Sequence, residues 1–206
     1  MTRSFQMAII FLTAATWLGF AGFLGFPTTW WEATKPFFTA ASVSALIVFT
    51  FEKRMWSWII FRGWLTKTPD YRGVWKVTFL SSWIDPETNE LVGPLYGFVQ
   101  IDQTATSFCM RMYTSKAHSK SVAHSIRLDQ EVFTLALVYE NKPSIRLRET
   151  QSSMHLGSVT FQSRGYFPQT LNGEYWTERK TTGEIKLFER KKGEISSFEE
   201  GQKLFP

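Results

Sequence analysis

Leu171-Asn172-Gly173-Glu174-Tyr175-Trp176-Thr177-Glu178-Arg179 reads as a β-strand. A period of two puts Gly173, Tyr175, Thr177 and Arg179 on one face and Trp176 and Glu178 on the other. The same alternation of apolar and polar residues, broken by turn residues, begins after Thr68-Pro69-Asp70. It predicts strands near 72–83, 94–103, 106–115, 118–128, 131–141, 145–161 (with a possible break), 171–180 and 184–190. Asp85-Pro86-Glu87-Thr88-Asn89 supplies a loop, Asn141-Lys142-Pro143 ends a strand, and Thr181-Thr182-Gly183 offers a hairpin glycine. No long helical period separates the strands, so an antiparallel meander is expected rather than βαβ units. About eight strands within residues 69–192 favour a closed minimal barrel, because closure removes exposed edges. A β-sandwich is the rival architecture.

Upstream the chain is a different material. Met7 to Phe26 carries no charge, and at 1.5 Å per residue those twenty residues make about 30 Å of helix, the thickness of a bilayer's hydrocarbon. A secretory signal would have a shorter apolar core and a small-residue cleavage site, whereas this run continues to Pro27. A second apolar run, Pro36 to Phe51, is flanked by Trp30 and Trp31 before it and by Trp56, Trp58 and Trp64 after it, the pattern of an interfacial belt. Arg3 precedes the first run, and Lys53, Arg54, Arg62, Lys67 and Arg72 follow the second, while the link between them holds only Lys35. That asymmetry predicts a transmembrane hairpin with both termini in the cytoplasm. Gly19, Gly22 and Gly25 make a small-residue face that either packs on a neighbouring helix or reflects ordinary glycine enrichment. The organisation expected is therefore residues 1–62 for two spans (about 7–27 and 34–55) and a juxtamembrane segment, 69–192 for the barrel, and 193–206 for a loose tail.

The residue inventory argues against catalysis. Cys109 is the lone cysteine, so no internal disulfide or multi-thiolate metal site exists. His118, His124 and His155 lack metal-ligand spacing, and there is no nucleophile elbow, phosphate loop or dinucleotide fingerprint. No catalytic residue, metal or cofactor is expected. The net charge of +5, most of it in residues 52 to 206, suits an anionic ligand or anionic lipid.

Binding is easier to build. If the Tyr175 face looks into the barrel, Arg179 is a buried charge whose best planar partner is phosphate, and Tyr175 can stack a base. In the opposite reading Arg179 meets solvent and Trp176 fills the core. Arg111 with Tyr113, and Ser119 with Ser121, alternate in the same way on neighbouring strands. Gly73-Val74-Trp75 is a glycine-x-tryptophan of the kind that closes one end of lipocalin-type barrels, with Trp75 as the plug.

Together the two N-terminal spans, Gly73-Val74-Trp75, Tyr139-Glu140-Asn141-Lys142-Pro143, His155-Leu156-Gly157 and Leu171 to Arg179 continuing to Thr182-Gly183 resemble the two-transmembrane, β-strand-rich effectors of bacterial cyclic-oligonucleotide anti-phage systems (CBASS). The resemblance implies a membrane α-helical hairpin plus an all-β domain, a lipocalin-like antiparallel barrel that receives a cyclic dinucleotide made by a partner nucleotidyltransferase. It also implies self-association in the inner membrane, membrane disruption and growth arrest or death of the infected cell. No DNA or RNA polymer is implied. Motif by motif it carries Tyr175, Thr177, Arg179, Thr182, Tyr139 and Asn141 into the ligand site, beside the Arg111 and Tyr113 suggested by strand pattern. Two alternatives stand: a membrane-anchored lipid or fatty-acid binder, which an interior of Phe108, Met110 and Met112 would favour, and a purely structural membrane-anchored module.

Overall fold

The computed structural model describes residues 3–26, 28–84, 89–91, 93–143 and 154–206. Two compact units emerge, Met1–Lys67 with Thr104–Thr106, and Thr68–Gln103 with Ser107–Pro206.

The first unit is a pair of helices, α1 (Arg3–Leu24) and α2 (Trp30–Lys53), followed by two single 3₁₀ turns, Met55–Ser57 and Ile59–Phe61. α2 begins earlier than the apolar run suggests because Thr29 caps it, accepting from the Glu32 amide at 3.3 Å, while the Glu32 carboxylate accepts from the Thr28 amide at 3.1 Å. The added turns make α2 long and apolar enough to cross a membrane, and within α1 a shorter apolar stretch covers Met7–Phe23. The helices meet through Ala21 and Ala40, both buried, and through a Thr16 to Ser44 hydroxyl pair at 2.9 Å. A methyl group added at Gly19 or Gly22 would meet nothing within 4 Å, so the glycine face is not what joins them.

The second unit is a closed barrel in which β1 (Gly73–Ser81), β2 (Leu95–Gln103), β3 (Phe108–Tyr113), β4 (Ala117–Asp129), β5 (Val132–Pro143), β6 (His155–Arg164), β7 (Leu171–Thr177) and β8 (Thr182–Lys191) pair in sequence. Every neighbour is antiparallel and β8 returns to β1, so the meander closes and the sandwich alternative falls away. Most of the expected 85–89 loop, residues 85–88, and the expected start of the sixth strand at 145–153 lie outside the described residues. Alternate residues turn inward and bury the apolar set that includes Val77, Val99, Ile101, Leu135, Phe161 and Leu187.

One end of the barrel is plugged as Gly73-Val74-Trp75 suggests. Trp75 is fully buried and its indole donates to the Tyr71 carbonyl at 2.9 Å. The Arg190 guanidinium covers the ring at 5.3 Å from its centroid. Gly73 has φ +125°, and a side chain there would also meet the Lys191 carbonyl, so glycine is required twice over. Beneath the plug, buried Asp70 is gripped by Arg72 (2.6 Å) and Arg190 (3.2 Å). Burial alone would raise the Asp70 carboxyl's affinity for protons. Hydrogen bonds and charge from Arg72, with the charge of Arg190, outweigh that and hold it below the ordinary carboxylate value. The unfolded chain therefore binds the proton more readily. Asp70's contribution is fully present above the ordinary carboxylate pKa and lost as pH falls through its lowered folded value. In acid titrations of urea-unfolding stability, Asp70→Asn is expected to flatten the decline below about pH 4, and an unchanged slope would remove Asp70 from the acid-sensitive groups.

Residues 193–206 are not the loose tail expected. They form a strap ending in α3 (Phe198–Leu204), whose cap Ser197 accepts from the Glu200 amide at 3.2 Å. Ile195 and Phe205 are buried against Val74 and Phe98 on the outside of the barrel, with Phe205 stacked on Phe98 at 5.6 Å. The outward-facing Phe98 would otherwise leave an apolar spot in water, and the strap's large apolar residues cover it.

Candidate functional site

Opposite the Trp75 plug the barrel holds a cavity of about 70 Å³ lined by Phe79, Met110, Met112, Ser119, Ser121, Leu137, Tyr139, Val159, Tyr175 and Ile185. These residues belong to the ends of β1, β3, β5 and β7 and the starts of β4, β6 and β8, which converge at one mouth. Two phenols dominate it. Tyr139 stands directly across from Gly157 on β6, and Tyr175 across from Gly183 on β8. A Cβ on Gly157 would lie 2.5 Å from the Tyr139 hydroxyl, and one on Gly183 would lie 2.7 Å from Cε1 of Tyr175. Each ring thus occupies the space that its glycine partner leaves empty. Burial pushes the Tyr139 phenol up to about 12, with a smaller push from Tyr175, and burial raises Tyr175 as well against a lowering hydrogen bond from Ser81. Both rings are therefore neutral donors over the physiological range, and Phe79 braces Tyr175 edge-on at 6.2 Å.

Of the residues expected at the site, Tyr139 and Tyr175 line the cavity. Asn141 sits at its rim, where it accepts from the buried Ser119 hydroxyl at 2.8 Å. Thr177 turns inward as the last residue of β7, its hydroxyl paired with Thr181 at 2.6 Å. Thr182 opens β8, tied through its amide to the Ser82 hydroxyl at 3.0 Å. The face carrying Gly173 and Tyr175 does look inward, and Trp176 lies outside, half exposed. Arg179 does not follow it. β7 ends at Thr177, and Arg179 is exposed in the following turn, so the expectation of a guanidinium buried in the barrel is corrected. That turn is made by Lys180 at φ 61° and not by Gly183, whose role is close approach to the Leu80 carbonyl and the Tyr175 ring.

Arg111 and Tyr113 are a second correction. Phe108, Met110 and Met112 turn into the barrel, so the alternating pair points out. There Arg111 pairs with Asp102, and Tyr113 packs against the strap cluster of Val74, Phe98 and Phe205. A one-residue shift of phase had exchanged the two faces of β3.

The mouth offers cations from several strand ends: Lys116 between β3 and β4, Lys142 near the end of β5 (paired with Glu140 at 3.0 Å), and Arg179 and Lys180 between β7 and β8. Among the described residues no group of three or more His, Cys, Asp or Glu side chains is placed to hold a metal ion. Strand alternation alone missed Phe79, Leu137, Val159 and Ile185 on the cavity wall, and it gave no role to Gly157 and Gly183. The role of the glycines follows from the observed register, which sets each opposite a tyrosine.

The chain matches no protein in a search of curated proteins. A family model described as Cap15, cyclic dinucleotide receptor domain, matches residues 66–190, more than half of the chain, from just before the Asp70 and Trp75 plug almost to the end of β8. The matched stretch contains both tyrosine and glycine pairs, and the resemblance to CBASS effectors is borne out at the level of the family. The chain belongs to the Cap15 cyclic dinucleotide receptor domain family.

Proposed function

We propose that the cyclic dinucleotide binds across the barrel mouth, with a base against Tyr139 and Tyr175 and its phosphates toward Arg179 and the neighbouring lysines, Asn141, Thr177 and Thr182 shaping the rim. The paired, glycine-backed tyrosines carry this reading. A cavity of about 70 Å³ is far below the ~300 to 1,000 Å³ of pockets that enclose a small molecule. A ligand with two bases and two phosphates therefore lies largely over the opening and inserts at most one part. Exposed cations at the rim suit that pose better than a buried arginine would, since phosphate meets them without crossing an apolar interior.

In this reading α1 and α2 are the two spans of an inner-membrane protein with both termini in the cytoplasm. Ligand binding drives self-association and membrane disruption in infected cells. Binding converts to assembly only if the ligand prefers the associated state, because equal affinity for both states shifts nothing.

The test is thermal unfolding of the full chain in detergent against a panel of cyclic di- and trinucleotides. One cyclic dinucleotide at 100 times its dissociation constant should add about 2.7 kcal/mol, a rise of roughly 5 to 10 °C. Arg179→Ala, in an exposed turn, should leave the chain folded and weaken binding about tenfold, the loss expected for one charge-assisted phosphate contact. No shift with any ligand from a folded chain removes the proposal.

The inward-facing Phe108, Met110 and Met112 favour a second reading, an acyl-chain binder. The cavity as it stands is small for that too. Fatty acid in an organic extract of the purified chain, at one per barrel, would decide for it.

A further inference from the structure

Residues 55–66, between α2 and the barrel, belong neither to a span nor to the family domain's strands, and their chemistry is unusual. They fold into a knot around buried Trp56. The Phe61 carbonyl takes the amides of Leu65 (3.1 Å) and Thr66 (2.9 Å), and Gly63, at φ +83°, donates to the Thr66 carbonyl. The Thr66 hydroxyl donates to the Trp56 carbonyl at 2.9 Å, and Arg62 folds back to donate twice to the Ser57 carbonyl, at 3.1 and 2.8 Å. Even the exposed Trp64 indole N–H is spent on the Ile60 carbonyl at 2.6 Å. With so many of its polar groups met internally, the knot turns large apolar side chains outward: Trp58, Ile59, Ile60 and Trp64 are between 50% and 79% exposed.

An aqueous surface has no use for such a patch, and internal satisfaction of backbone polarity is what a low-dielectric surrounding demands. The patch follows the last turn of α2 directly, and Lys53, Arg54, Arg62 and Lys67 are interleaved with it, cations suited to acidic headgroups. Tryptophan and isoleucine beside arginine and lysine is the composition of an element lying in the interface plane.

We propose that residues 55–66 form a lipid-interface anchor, which seats Trp58, Ile59, Ile60 and Trp64 in the headgroup layer of the bilayer and fixes the depth at which α2 ends. This rests on the reading of α2 as a span, and the experiment separates the two. In a full-length Cys109→Ser background, single cysteines are introduced at exposed positions by Ile59→Cys, Ile60→Cys and, at the middle of α2, Ser42→Cys. Each is labelled with an environment-sensitive fluorophore and reconstituted into phosphatidylethanolamine and phosphatidylglycerol vesicles. Quenching is then compared between lipids bearing a nitroxide near the headgroup and near the chain end. The expected result is deep quenching at Ser42→Cys and strong shallow quenching at both isoleucine positions. Deep quenching at Ser42→Cys with a water-exposed signal at both isoleucine positions overturns the anchor and leaves the span standing. Chain-end quenching at all three positions overturns it too, by making the knot part of the span. A water-exposed signal at Ser42→Cys defeats the membrane reading, and the anchor with it.

Discussion

Trp75→Ala is expected to lower the barrel's unfolding midpoint by about 6 to 20 °C, the equivalent of roughly 3 to 5 kcal/mol for deleting a buried tryptophan. The ring is fully enclosed and fills the closed end, so truncation leaves a cavity that the surrounding strands close only in part. Two further losses come with it. The Tyr71 carbonyl loses its indole donor, and Arg190 loses the aromatic face it covers while its guanidinium stays anchored to the Asp70 and Arg72 carbonyls, at 2.8 and 2.6 Å. Trp75→Phe keeps most of the apolar volume but not the donor, and is expected to cost about 1 to 3 kcal/mol. Both variants leave Tyr139 and Tyr175 alone, because the plug and the cavity occupy opposite ends. At a temperature where Trp75→Phe is folded, the cyclic dinucleotide should still raise its midpoint by the full amount. A folded Trp75→Phe that no longer responds would place the ligand near the plug instead.

How far the sequence reached is clearest at β3 and β7. The number of strands, their order and the antiparallel closure follow from alternation and turn residues, signals local enough to read from a single chain. Which face of a strand looks inward is not local. For β7 either Tyr175 or Trp176 is plausible inside, and the pairing of Tyr175 with Gly183 decides it; β3 is ambiguous in the same way, because Phe108, Met110 and Met112 are as plausible inside as Arg111 and Tyr113 are beside a ligand. The true phase depends on pairing, with Met112 opposite Ser119 and Val99. Arg179 was lost for a different reason. Alternation continues past Thr177, but the chain turns there, and the turn is formed by a lysine in the left-handed region, which composition does not announce. The strap was misread because an acidic segment at the end of a chain resembles a solvated tail. Its partner, the outward-facing Phe98, could be recognised only once β2 had a phase.

The glycines extend that lesson to the site. His155-Leu156-Gly157 and Thr182-Gly183 carry part of the family resemblance, and the register supplies the physical reason: each glycine is the floor on which a mouth tyrosine lies. They are not equivalent. A Cβ on Gly183 runs into the Leu80 backbone carbonyl as well as the Tyr175 ring, and backbone cannot yield without moving β1. At Gly157 the three nearest atoms all belong to the Tyr139 ring and its hydroxyl, the far end of a side chain that can rotate away. Gly157→Ala is therefore expected to fold, at a cost of about 1 to 3 kcal/mol for local overpacking. It should also drive the Tyr139 ring off its seat and out of line with a bound base. Stacking is worth about 1 to 3 kcal/mol per base, so affinity for the cyclic dinucleotide should fall about 5- to 150-fold, measured by calorimetric titration of the full chain in detergent. Tyr139→Ala should match that loss, and Gly157→Ala combined with Tyr139→Ala should add little to either, since both act on one ring. If Gly157→Ala folds and binds as tightly as the parent, Tyr139 is a wall of the barrel and not a platform for the ligand. The tyrosine pair would then be reduced to Tyr175.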